Sequence, residues 1–105
     1  MITNTGASPA TLIFGSSNAA VNINSTGGGA TTITNTGGAL SLTKVGTGIA
    51  TIASGQTLTY TGSTTVTGGT LTIASALNGT TALSVTGSGS ILNLNGLISG
   101  PASIN

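Results

Sequence analysis

Apolar side chains recur two residues apart in short bursts along this chain, and small polar residues interrupt every burst. Leu12-Ile13-Phe14, Val21 with Ile23, Leu40-Ser41-Leu42, Ile49 to Ile52, Leu58 with Tyr60, Leu71-Thr72-Ile73, Leu83-Ser84-Val85 and Ile91 to Leu94 share this form. Such alternation sends every second side chain to one face of a strand. Between the bursts lie Asn35-Thr36-Gly37-Gly38, Gly46-Thr47-Gly48, Ser54-Gly55, Gly68-Gly69 and Gly87-Ser88-Gly89. Glycine reaches positive φ without a Cβ clash, and Asn or Ser bonds its own backbone, so each cluster predicts a turn. No stretch carries a 3.6-residue period, and the helix formers Glu and Arg are missing, so no helix is predicted.

Strands this short, each followed by a turn, cannot bury an apolar face within one hairpin. Coiling solves the problem by laying each strand on the one a coil earlier. The predicted fold is therefore all-β, a right-handed parallel β-helix (β-solenoid) with irregular coils. Residues 1–105 form a single solenoid segment, part of a longer array or a stacked fibre. Two coil lengths fit the spacing. The last apolar residues of every second burst are about 19 to 21 apart, the size of a coil with two main strands. In the first half, every third burst gives about 29 to 31, which suits three sides. The phrases Ile2-Thr3-Asn4-Thr5-Gly6 and Ile33-Thr34-Asn35-Thr36-Gly37 repeat at about 31 residues and favour the three-sided coil.

Composition narrows the chemistry. The 105 residues include one basic side chain, Lys44, and no Asp, Glu, His or Cys. Paired carboxylates, a Ser-His-Asp relay, carboxylate-bound calcium and thiolate zinc sites are excluded, so no enzyme, cofactor or metal is expected. With a formal charge of +1 and two aromatics, Phe14 and Tyr60, the chain lacks the basic footprint and stacking platforms of a nucleic-acid binder. No apolar run is long enough to span a membrane. The first residues lack a basic and an apolar region, so any export signal is expected outside residues 1–105.

The segment Leu42-Thr43-Lys44-Val45-Gly46-Thr47-Gly48, the strand Ile49 to Ile52, and Tyr60-Thr61-Gly62-Ser63-Thr64-Thr65-Val66-Thr67-Gly68-Gly69-Thr70-Leu71 follow one another in order. Together, over about residues 42–74, they resemble one copy of the passenger-associated transport repeat of bacterial autotransporters. The repeat has the form L-x-K-x-G-x-G-x-L-x-L, then Y-x-G-x-T-x-V-x-x-G-x-L. The resemblance implies a right-handed parallel β-helix in a secreted or surface-displayed passenger, with a part in export. The expected role is structural: a stalk or adhesin scaffold that associates with itself end to end or laterally, or with flanking coils, and meets a host surface or glycan.

Candidate contact residues are few. Lys44 offers a cation to an anionic glycan, although a buried stem covering apolar neighbours is the plainer expectation. Tyr60, placed after Leu58, is expected inside the coil with its hydroxyl reaching a corner. Thr57, Thr59, Thr65, Thr67, Thr70 and Thr72 flank apolar residues in pairs, with no equivalent pair evident in the first half. Stacked one rung apart, such pairs make the hydroxyl and methyl array of an ice-binding or glycan-binding face, the alternative to a purely structural role.

Overall fold

The computed structural model describes residues 2–15, 20–23, 32–78, 82–96, 98–99 and 103–104. Among the described residues, fourteen short strands wind through three faces in strict rotation. Coil one contains β1 (Ile2–Asn4), β2 (Ala10–Phe14) and β3 (Val21–Ile23). Coil two contains β4 (Thr32–Asn35), β5 (Leu40–Lys44) and β6 (Ile49–Ile52). Coil three contains β7 (Thr57–Leu58), β8 (Thr64–Val66) and β9 (Thr70–Ile73). Coil four contains β10 (Leu77–Asn78), β11 (Ala82–Val85) and β12 (Ile91–Leu94), and β13 (Ile98–Ser99) and β14 (Ser103–Ile104) follow.

Every third strand pairs in parallel, giving face 1 (β1-β4-β7-β10-β13), face 2 (β2-β5-β8-β11-β14) and face 3 (β3-β6-β9-β12). The chain is a three-sided parallel β-solenoid. The two Ile-Thr-Asn phrases lie in register, with Ile2 beside Ile33 and Asn4 beside Asn35.

Both coil lengths read from the sequence occur, one after the other. Ile2 to Ile33 is a step of 31 residues and Leu12 to Leu42 one of 30. The step falls to 25 between Ile33 and Leu58, and to 19 between Leu58 and Leu77. The shorter coils keep three sides. A coil of 19 to 21 residues with two main strands is therefore corrected: face 1 persists there as the two-residue strands β7 and β10.

The core is a set of aliphatic columns. Ile33, Leu58 and Leu77 stack under face 1, and Leu42, Thr64 and Leu83 under face 2. Under face 3, Ala50 and Leu71 share one column, Ile52 and Ile73 the next. All of these are buried, so each rung covers the apolar side chains of the one before. Where one corner nests on another, glycine is required. A Cβ on Gly62 would come within 2.4 Å of the Leu40 carbonyl oxygen of the preceding rung. Gly69 combines that crowding with a φ of +67°, so any side chain there is strained twice over.

Candidate functional site

The built features of the interior are the corners, and each of the three holds a side chain that links rungs. Between faces 1 and 2 stand Asn4 and Asn35. The Asn4 amide donates to the carbonyls of Ser8, Gly38 and Ala39 at 2.9 to 3.2 Å, and its Oδ1 accepts from Gly6 N–H. Asn35 Oδ1 accepts from the Thr61 backbone N–H at 2.8 Å and from the Thr61 hydroxyl. Position 60 continues this column, and there Tyr60 turns inward, fully buried, and shares a 2.6 Å hydrogen bond with the buried Thr64 hydroxyl. Its partner thus lies in strand β8 and not in the corner. Burial pushes the Tyr60 phenol up to about 12, and the Thr64 hydrogen bond pulls weakly the other way.

Between faces 2 and 3 stands Lys44. Its side chain is completely buried, and the ammonium donates to the carbonyls of Val45 at 2.5 Å and of Gly46 and Gly68 at 3.3 Å. Gly68 belongs to the next rung, while the lysine stem passes close to Gly15 of the previous one. The three donors of the ammonium meet three acceptors, in a chain that has no carboxylate side chain to offer. Exposure to a glycan, one of the two expectations for Lys44, is corrected: the cation is turned inward, where three corner carbonyls converge on it.

Between faces 3 and 1, Ser75 has the same task. Its hydroxyl accepts from Gln56 N–H at 2.9 Å and donates to the Ala53 carbonyl, joining corners one coil apart. Ser75→Ala leaves the buried Gln56 amide without that acceptor and is expected to cost about 1–2 kcal/mol. Amide exchange at Gln56 should accelerate at least tenfold in the same variant, and an unchanged rate would remove Ser75 from this role. Ser75 does not stand out in the sequence, since nothing marks a lone serine as aimed at a corner some twenty residues away.

The six candidate threonines do not share a plane. Thr57 and Thr59 lie along face 1, Thr65 and Thr67 along face 2, and Thr70 and Thr72 along face 3. The first half does contain an equivalent pair. Thr32 is in register with Thr57, and Thr59 Oγ1 donates to Thr34 Oγ1 at 2.9 Å. Face 1 therefore carries a two-by-two threonine patch in which one hydroxyl pair is satisfied internally. No pocket indents the described surface, and among the described residues no helix is long and apolar enough to cross a membrane. Comparison with family models, curated proteins and solved structures returned no match.

Proposed function

We propose that this chain is a non-catalytic structural segment of a β-solenoid, a stalk or spacer within a secreted or cell-surface bacterial fibre or autotransporter-like passenger. The observation that carries the reading is where polar chemistry is spent. Lys44, Asn4, Asn35, Ser75 and the Tyr60–Thr64 pair all bond to the solenoid's own rungs. The resemblance of residues 42–74 to the passenger-associated transport repeat supports the location. Half-buried apolar residues at the two edges, Ile2, Leu12, Phe14 and Val21 on one and Leu92 and Leu94 on the other, support extension by further coils. Flanking chain or a second copy stacked end to end supplies them.

The test is modular. Ile73 lies directly beside Leu94, one coil of 21 residues later, so residues 74–94 form an in-register unit. Duplicating them in tandem should add one rung, lengthen the particle by about 4.8 Å in small-angle scattering and raise the urea midpoint. A duplicated chain that loses parallel-sheet circular dichroism overturns the scaffold reading. Negative-stain imaging across a concentration series tests stacking of copies; particles of one length at every concentration exclude it.

A further inference from the structure

Face 3 differs from the other two on its outer side. Its strands present two outward columns, one running Ile49, Thr70, Ile91 and the other Asn22, Thr51, Thr72, Asn93. Ile49 and Ile91 are 56% and 50% exposed, and they are two of the three large hydrophobic residues exposed among those described. They sit about 9.6 Å apart, two rungs of about 4.8 Å, on either side of Thr70. A methyl-bearing lane therefore runs beside a lane of hydroxyls and amides.

We infer that face 3 is a self-association surface on which a second copy of this chain packs antiparallel, about a two-fold axis passing at Thr70. The column itself supplies the argument. Turning one copy end over end about an axis along β9 exchanges the rungs above and below Thr70 and keeps each lane opposite itself. Ile49 then meets the partner copy's position 91, Thr70 meets its own equivalent, and Thr51 faces an amide at position 93, donor to acceptor. An isologous contact demands this kind of self-complementarity. A parallel pair matches at most one lane. An axis along the methyl lane sets Ile49 on Ile49 and Ile91 on Ile91 but leaves the polar lane without its counterpart, and an axis between the lanes strands both isoleucines against polar groups. Charge does not oppose the contact, because the chain's one charged side chain is buried elsewhere.

The size of the strip sets the strength. Four rungs give an area well short of the roughly 1,200–2,000 Å² buried in stable complexes. The pair is accordingly a concentration-dependent dimer, strengthened where longer arrays lay more rungs side by side. Lateral pairing is independent of end-to-end stacking, which consumes the strand edges and leaves face 3 open.

Sedimentation equilibrium on the full chain, with paired charge variants, tests the geometry. Wild type should show a monomer–dimer equilibrium. Ile49→Lys with Ile91→Lys places like charges opposite each other twice and should weaken dimerisation at least tenfold. Ile49→Lys with Ile91→Glu places opposite charges together twice, only if the copies are antiparallel, and should recover at least tenfold over the double lysine at low salt. In this cysteine-free chain, Thr70→Cys should give dimers with a short bis-maleimide reagent, whereas Thr57→Cys on face 1 should not. A monomer at all concentrations overturns the inference, as does a Lys/Glu variant no tighter than the Lys/Lys one. Open-ended polymers indifferent to face 3 substitutions would support end-to-end stacking and refute this contact. Retention of a monomeric wild type on a neutral polysaccharide, lost in the double lysine, would assign the strip to a glycan instead.

Discussion

Replacing Lys44 with methionine is expected to destabilise the solenoid by about 2–4 kcal/mol, although the replacement is apolar, unbranched and of similar length. The loss comes from acceptors and not from the lysine stem. Val45, Gly46 and Gly68 would each keep a carbonyl turned into a corner from which the donor has gone, at about 1–3 kcal/mol for each one that water does not reach. Relief from burying an ammonium offsets part of this, which holds the net figure below the sum. Chemical denaturation followed by far-ultraviolet circular dichroism reads the change directly. Lys44→Ala should cost more, because it also empties the space beneath Gly15 and Gly69. A Lys44→Met midpoint within 0.5 kcal/mol of wild type, on the order of one weak hydrogen bond, would show that the corner carbonyls do not depend on the ammonium.

The same residue shows where sequence reading reaches its limit. Lysine's charge argues for an outer surface, and the competing argument lies in three carbonyls, one of them 24 positions later in the chain. Nothing local announces that these carbonyls converge. The aliphatic columns, by contrast, were legible, because strands such as Leu40–Lys44 and Ile49–Ile52 are long enough to display alternation. Thr57–Leu58, Leu77–Asn78 and Ile98–Ser99 are not. A two-residue strand has one inward position, so it has no period, and the shorter coils looked two-sided for that reason. The first-half threonine pair was missed for a related cause. Thr32-Ile33-Thr34 pairs with Thr57-Leu58-Thr59 across a 25-residue step that matches neither of the coil lengths visible in the sequence.

A second large effect concerns pH. With no Asp, Glu or His in the chain, folding stability should be flat from about pH 5 to 9, where most proteins titrate. The alkaline limb is different because of Tyr60. Its folded-state pKa of about 12 exceeds the ordinary 10.0, so the folded protein holds the phenolic proton more tightly than the unfolded chain does. The resulting stability is complete below pH 10 and is lost progressively as the pH rises from 10 through 12. At 1.36 kcal/mol per pKa unit, the full loss approaches about 2.7 kcal/mol. Tyr60→Phe cannot ionise. It should begin about 1 kcal/mol less stable, having lost the bond to Thr64, yet hold that stability better above pH 10. Subtracting its urea midpoints from those of wild type between pH 8 and 12 cancels every other titrating group and isolates the phenol. Curves that stay parallel across that window would mean the ring is hydrated in solution, and the tight corner between faces 1 and 2 would have to be abandoned with it.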